Sequence, residues 1–188
     1  MAEPAGSRVS YVEYLALEAR AEVKHEYLDG VVRAMAGGTI EHGRLSARVI
    51  RLVGAALTGR SCEVFSSDVK VYVAASNRST YPDATVVCGR VETVEIDAEA
   101  IVNPVVLVEV LSDSTEGYDR GEKFRHYRRL ESLREYVLVS QREPLVEVWR
   151  REGDLWRPVE HGPGEDVRLA SVDAAFPVDA LYDNPLEG

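Results

Sequence analysis

Two carboxylates and a lysine are prominent in this sequence because they accompany apolar segments. Asp83 directly precedes the apolar residues 84–88, and Glu109 lies inside the apolar run 104–111. An ionised carboxylate within a buried strand costs several kcal/mol unless a cation or hydrogen-bond donors meet it, so we expect a positive group opposite Glu109. Carboxylate oxygens suit Mg²⁺ or Mn²⁺. Lys123, a little further along the chain, could stabilise charge on a phosphate, or could orient or help deprotonate an attacking water. The arrangement of Asp83, Glu109 and Lys123 resembles the divalent-metal site of a nuclease, in which Asp83 and Glu109 would be the metal ligands.

Three further polar residues could complete such a site. Glu26, Asp68 and His42 are candidates for additional ligands, or for side chains that orient the ligands. Each also has an ordinary interpretation: Glu26 as an exposed hairpin residue, Asp68 as a turn residue and His42 as a polar residue near a helix start. The sequence does not show whether they converge.

The main candidates also have structural alternatives. Asp83 follows a proline and could merely begin a strand. Glu109 and Lys123 could form a buried ion pair without catalysis, and Lys123 could be an ordinary lysine on a helix surface. These alternatives stay open from the residues alone.

The elements that position the candidates follow from local patterns. Short β-branched runs bounded by Gly and Pro predict buried strands around 84–88 and 104–112. Asp119 and Glu122 have the spacing of a capping box, which predicts a helix from Asp119 to about Leu130. In that helix Lys123 shares a face with Tyr127 and Leu130.

The remaining segments predict an α+β fold with a mixed central sheet. Ser10 and Glu13 predict a capping box for an N-terminal helix to about Arg20, and the Asp29-Gly30 pair predicts a type I′ hairpin over 25–35. Apolar residues at helical spacing predict an amphipathic helix over 45–57. Further strands are expected at 62–65 and 69–73, and 92–99 reads as a solvated acidic loop. An antiparallel meander is predicted over 136–139, 145–149, 155–159 and 167–169.

Size and charge limit the function classes. The 188 residues, 45% of them apolar, predict one domain over 1–188 with a flexible segment at 1–9. The net charge of −10 argues against a protein that coats nucleic acid through a basic surface. Residues 119–135 contain six bases and four acids, so this segment is the candidate basic patch, with a solvated, salt-bridged helix face as the alternative.

Cysteine usage and hydropathy suggest a compartment. Cys62 and Cys88 lie in strand-like runs without metal-ligand spacing, so we expect two reduced thiols rather than a disulfide. No apolar run approaches the ~18 residues of a membrane span. These features predict a cytoplasmic protein without a membrane partner.

The order of elements and acids resembles the restriction-endonuclease-like PD-(D/E)XK superfamily. The segments Tyr81-Pro82-Asp83, Glu109 to Ser112 and Asp119 to Lys123 are similar to its Uma2 (DUF820) branch, and the resemblance extends from about Tyr11 to Tyr182. The superfamily's strand motif would place a lysine where this sequence has Leu111. The resemblance implies that Lys123 takes over that role.

The resulting expectation is a Mg²⁺- or Mn²⁺-dependent endonuclease that acts on DNA. A homodimer is expected, because one small basic patch presented twice across a two-fold axis would hold a duplex better than a single copy. Two alternatives from other classes remain: a non-catalytic interaction or dimerisation module with the nuclease fold, and a metal-dependent hydrolase of another phosphate ester.

Overall fold

The computed structural model of the chain describes residues 8–35 and 37–186. Of the flexible segment expected over 1–9, residues 1–7 lie outside this description, whereas the Val9 amide donates to the Gly30 carbonyl. The helical segments are α1 (Tyr11–Glu18), α2 (Ile40–Ala56), α3 (Glu116–Tyr118), a π-helical turn (Asp119–Lys123), α4 (Phe124–Tyr127) and α5 (Val178–Tyr182). Two 3₁₀ turns occupy Ala74–Ser76 and Ala170–Val172.

Fourteen strands are formed by the described residues. They are β1 (His25–Leu28), β2 (Val31–Ala34), β3 (Cys62–Ser66), β4 (Lys70–Val73), β5 (Arg78–Thr80), β6 (Ala84–Cys88), β7 (Thr93–Val94), β8 (Asp97–Ile101), β9 (Val106–Val110), β10 (Glu135–Val139), β11 (Val146–Glu152), β12 (Leu155–His161), β13 (Asp166–Leu169) and β14 (Ala174–Pro177).

The central sheet has the order β12-β11-β10-β9-β6-β3. It is mixed, because β9 and β10 run parallel while the other neighbours are antiparallel. A second sheet, called here the outer sheet, has the order β2-β1-β5-β4-β8-β7. The predicted α+β fold with a mixed central sheet is confirmed.

Both faces of the central sheet are covered. On one face α2 inserts Leu45, Val49 and Val53, which are at most 1% exposed and repeat every four residues. Each such side chain contributes about 1.5–3 kcal/mol when fully buried. The opposite face packs against the outer sheet and against the helical segment 116–127, with Phe124 and Tyr127 in its core. Glu109 lies on this second face, so side chains of the segment 116–127 contact its carboxylate.

Local signals are confirmed in the N-terminal half. Ser10 and Glu13 form the predicted capping box of α1. Asp29 and Gly30 both have positive φ, 51° and 95°, as a type I′ turn requires. The hairpin β1–β2 joins the outer sheet through β5, which brings Glu26 toward the centre of the molecule.

Two expected segments are wrong. The acidic stretch 92–99 is not a loop, because it contributes β7 and the start of β8, and Asp97 is buried against Lys70 at 2.8 Å. Its other acids, Glu92, Glu95 and Glu99, are exposed as expected. The last strand of the expected meander also leaves the central sheet: β10, β11 and β12 follow the prediction, but β13 pairs with β14 in a separate hairpin.

The expectation of two reduced cysteines is also wrong. Cys62 on β3 and Cys88 on β6 are opposite each other in the antiparallel register and form a disulfide. The thiol argument for a cytoplasmic location is therefore removed. Within the described part of the chain, no helix is long and apolar enough to cross a membrane.

Candidate active site

The ends of two neighbouring strands bring Asp83 and Glu109 together. Ala84 at the start of β6 pairs with Val108 on the antiparallel β9, so the preceding residue, Asp83, lies level with Glu109 and Val110. The amide of Val110 donates to Asp83 Oδ2 at 2.7 Å. This hydrogen bond fixes the Asp83 carboxylate beside Glu109.

Lys123 supplies the positive charge that the buried position of Glu109 predicts. Its Nζ lies 2.8 Å from Glu109 Oε1, and both residues are at most 6% exposed. Lys123 ends the π-helical turn Asp119–Lys123, in which the hydrogen-bond ladder is locally widened. Such turns within α-helices occur frequently at functional sites.

Two further carboxylates contact the same ammonium. Glu26 Oε1 on β1 lies 3.3 Å from Lys123 Nζ, and Asp119 Oδ1 lies 3.6 Å from it. Glu26, Glu109 and Asp119 are all at most 7% exposed. Three buried carboxylates thus face one ammonium, which is a formal charge of −2 for the four groups. We call Glu26, Glu109, Asp119 and Lys123 the buried charge cluster.

Tyrosine hydroxyl groups complete the surroundings of the cluster. Tyr127 donates to Glu109 Oε1 at 3.2 Å, and its hydroxyl also lies 2.7 Å from Thr80 Oγ1. Tyr118 donates to Glu26 Oε2 at 3.4 Å. The rings of both tyrosines lie 6.0 Å from Lys123 Nζ, within the range of a cation–π contact. The tyrosines therefore hold the carboxylates and the ammonium in place.

The shortage of positive charge changes the proton affinities in the cluster. Burial raises the pKa of Glu109 well above its usual range, the Lys123 ammonium opposes this, and the neighbouring Asp119 and Asp83 add to the rise. Burial likewise raises the pKa of Asp119, although Lys123 opposes it. Burial alone would lower the pKa of Lys123, but Glu109 and the other anionic neighbours outweigh it and raise that pKa well above its usual range. Lys123 therefore stays charged at neutral pH and cannot readily accept a proton.

His42 lies beside Asp83 at the edge of the cluster. The Thr39 hydroxyl caps α2 by accepting from the His42 amide, which places this residue in the first turn. His42 Nε2 lies 3.3 Å from Asp83 Oδ2, and the hydrogen bond to Asp83 raises the pKa of His42 against the opposing effect of burial. His42 thus converges with Asp83, Glu109, Lys123 and Glu26.

Asp68 does not converge with the other candidates. Its side chain is 79% exposed and pairs with Lys24 at the turn between β3 and β4. In the described part of the chain, no hydrogen bond or ion pair joins Asp68 to the buried charge cluster. The residue fits its ordinary interpretation as a turn residue.

Sequence reasoning missed Asp119 as a member of the site. The predicted capping box at Asp119 is wrong, because the helical segment begins at Glu116, and Asp119 lies inside it as the first residue of the π-helical turn. Asp119 is four residues before Lys123, and residues at that spacing share a helix face. The spacing could have placed the two side chains together. The hydroxyl contacts of Tyr127 and Tyr118 with the cluster have no signal in the sequence, because the carboxylates that they meet come from distant strands.

The donor chemistry of the site fits a divalent cation of the Mg²⁺ type. Asp83, with 13% side-chain exposure, and Glu109 offer hard oxygen atoms, and the cluster lacks about two positive charges. Among residues 8–35 and 37–186, no three His, Cys, Asp or Glu side chains already surround a common point as ligands. The Lys123 ammonium lies among the carboxylates instead, so ligation would require it to share them with a metal.

Structural comparison defines the class of protein. The fold matches the crystal structure of a "putative nuclease belonging to DUF820" from Anabaena variabilis, with a TM-score of 0.76. The match covers 93% of this chain and 97% of that chain at 18% sequence identity, so it shows a shared fold. The chain therefore has a nuclease-like fold of the DUF820 type.

Sequence comparison defines the family. The sequence model of the Uma2 family, described as "Putative restriction endonuclease", matches residues 11–179, and the chain belongs to this family. An uncharacterised Synechocystis protein, slr1290, is 36% identical over 93% of this chain and 92% of its own length. A second one, sll1609, is 34% identical over 76% of this chain and 80% of its own length. The resemblance noted from the motifs is confirmed.

Proposed function

We propose that this protein is a Mg²⁺- or Mn²⁺-dependent endonuclease that hydrolyses phosphodiester bonds of DNA. The observation that carries the proposal is the charge deficit of the buried charge cluster, where three carboxylates at most 7% exposed face one ammonium. Buried charge of one sign is costly unless it is neutralised, and a divalent cation supplies the two charges that are lacking. The family description as a restriction endonuclease supports DNA as the substrate.

Asp83 and Glu109 are the proposed metal ligands. A bound Mg²⁺ would polarise the phosphate and lower the pKa of an attacking water. Asp83 is pre-positioned by the Val110 amide, and Glu109 is held by Tyr127 and Lys123. Because these side chains are already oriented, little conformational entropy would be lost when they bind a metal.

Lys123 is the proposed electrostatic partner of the transition state. Its pKa is raised well above the usual range by its anionic neighbours, although burial opposes this, so it carries a positive charge at neutral pH. A fixed ammonium in a buried site stabilises negative charge that develops on a phosphate. We therefore assign Lys123 charge stabilisation rather than general-base catalysis. Glu26 and Asp119 would orient this ammonium, and His42 would orient Asp83.

Plasmid nicking tests the proposal. Purified protein should convert supercoiled plasmid to open-circle form with Mg²⁺ or Mn²⁺, and EDTA should prevent it. Asp83→Asn and Glu109→Gln should each lower the rate by about a hundredfold or more, as expected when a metal ligand is lost. Asp68→Asn is the matched control, because Asp68 lies outside the site, and it should cleave at the wild-type rate. Equal rates in all four proteins, or no cleavage with either metal, would refute the proposal.

One observation favours a second candidate, a non-catalytic module with the nuclease fold. The 2.8 Å contact between Lys123 and Glu109 is a complete buried ion pair without any metal. A purely structural pair predicts that Mg²⁺ and Mn²⁺ do not bind at millimolar concentration. It also predicts that Asp83→Asn has no effect on any metal-dependent property. The endonuclease proposal requires the opposite, namely metal binding and its loss in Asp83→Asn.

A further inference from the structure

A groove adjoins the candidate active site on the side of β5. It has a volume of about 380 Å³ and lies between the turn 74–77 with Arg78 and the helix-end residues His126 and Arg129. Two residues beyond Arg78, Thr80 contacts the Tyr127 hydroxyl at 2.7 Å, next to Glu109. Two residues of a strand span about 7 Å, so Arg78 lies that far from Thr80, and the Tyr127 hydroxyl continues the path from Thr80 to Glu109 at 3.2 Å. We call it the Arg78 groove.

The groove contains polar nitrogen atoms without acceptors or donors. Arg78 Nε and both ring nitrogens of His126 are buried, and in the described part of the chain none has a hydrogen-bond partner. Leaving a buried donor unsatisfied costs about 1–3 kcal/mol. These buried nitrogen atoms can gain partners only if a neighbouring side chain such as Glu122 moves and admits a polar ligand or water.

Positive charge dominates around His126. Burial lowers the pKa of His126, and the guanidinium groups of Arg78, Arg125 and Arg129 lower it further, while Glu122 opposes them. Burial by itself says nothing about the sign of a ligand, but the three guanidinium groups around His126 favour an anion over another cation. The groove thus attracts negative charge even though the chain as a whole carries −10.

The acids at the groove are already engaged. Asp29 accepts from Arg8 at 3.0 Å and from Asn77 at 3.2 Å. Glu122 lies 2.8 Å from Arg78 Nη1 and 4.0 Å from His126 Nε2, but its side chain is 45% exposed. An exposed carboxylate of this kind can turn into solvent when a stronger anion arrives. Glu122 therefore occupies the position that a ligand phosphate would take.

We infer that the Arg78 groove binds a backbone phosphate of the DNA strand adjacent to the phosphate that is cleaved. The inference rests on the proposed function. A guanidinium binds phosphate through two parallel hydrogen bonds, which Arg78 can offer once Glu122 has moved. Arg129, which donates to the Ala75 carbonyl at 3.0 Å, forms the second charged wall. The contact would position the strand and would not read its sequence.

DNA binding without metal tests the inference separately from cleavage. The affinity of a fluorescein-labelled duplex of about 20 base pairs is measured by anisotropy in EDTA at several salt concentrations. Arg78→Gln and Arg129→Gln should each weaken binding about tenfold. Each should also reduce by about one the slope of the logarithm of the binding constant against the logarithm of the salt concentration. Glu122→Gln should strengthen binding several-fold, because it removes the competing anion. Arg60→Gln is the control, since Arg60 pairs with Asp173 away from the groove.

The outcomes distinguish the two proposals. Weaker binding in Arg78→Gln and stronger binding in Glu122→Gln support the groove whether or not the plasmid is cleaved. Binding that is absent in the wild type, or is unchanged in both Arg129→Gln and Glu122→Gln, overturns the groove even if cleavage is observed. Because Glu122 and Arg129 lie at the surface, their variants remain informative if Arg78→Gln fails to fold.

Discussion

Replacing Lys123 by Met removes the ammonium from the buried charge cluster while keeping most of the side-chain volume. At an effective dielectric constant of about 20, the 2.8 Å contact with Glu109 alone corresponds to about 6 kcal/mol. The protein can avoid part of this loss by protonating a carboxylate. Relative to the unfolded chain, in which a glutamate has a pKa near 4.3, that step costs about 4 kcal/mol at pH 7. We therefore expect Lys123→Met to lower the free energy of unfolding by about 4 kcal/mol at pH 7.

The effect should depend on pH in a defined direction. Protonation of a carboxylate becomes nearly free as the pH approaches about 4.5, so the difference between Lys123→Met and wild type should shrink there to about 1 kcal/mol. Urea denaturation at both pH values measures this. The matched control is Lys24→Met, which breaks an ion pair with the exposed Asp68 and should cost no more than about 1 kcal/mol at either pH. A Lys123→Met protein as stable as wild type at pH 7 would refute the charge deficit.

Two further predictions concern the buried charge cluster, and a third concerns the oligomeric state expected from the sequence. Glu109→Gln keeps the shape and removes one excess charge, so in the metal-free protein it should raise the free energy of unfolding by about 1–2 kcal/mol at pH 7. Because the fold raises the pKa of Glu109, its ionisation destabilises the protein as pH rises, and the gain should vanish below about pH 4.5 in urea titrations. Tyr127→Phe removes the hydroxyl contacts to Glu109 and Thr80 and should cost about 1 kcal/mol, with a larger loss of cleavage rate than of DNA affinity. A homodimer should appear in light scattering as a species of about 42 kDa, and a mass of 20.8 kDa alone at micromolar concentration would contradict it.

The parts of the fold that follow from local chemistry were predictable. The type I′ hairpin depends on Asp29 and Gly30, and α2 depends on the spacing of Leu45, Val49 and Val53. Both signals lie within a few residues of the element that they specify. The strand that follows Asp83 and the strand that contains Glu109 could also be predicted, because each is a nearly continuous run of apolar residues.

The features that depend on distant partners were not predictable in this way. Asp97 reads as solvated until Lys70 on the parallel strand β4 is known to face it. Cys62 and Cys88 are 26 residues apart, and only the β3–β6 register brings them together.

The same limit applies to the candidate site. A carboxylate in a strand predicts that a cation is near, and Lys123 was the correct partner for Glu109. The number of carboxylates around Lys123 could not be predicted from the sequence. Glu26 comes from the distant hairpin, and Asp119 comes from a π-helical turn that has no sequence signature here. The charge deficit is therefore a property of the fold rather than of any one motif.

Calorimetric titration of the protein with Mn²⁺ at pH 7, in two buffers of different ionisation enthalpy, tests the central claim most directly. Because the pKa of Glu109 and that of Asp119 are raised by burial in the metal-free protein, a divalent cation that enters the cluster should displace protons. We predict binding at one site, an apparent enthalpy that differs between the buffers, and loss of binding in Asp83→Asn but not in Asp68→Asn. No binding heat, or binding that is unchanged by Asp83→Asn and independent of the buffer, would contradict a metal site at these carboxylates.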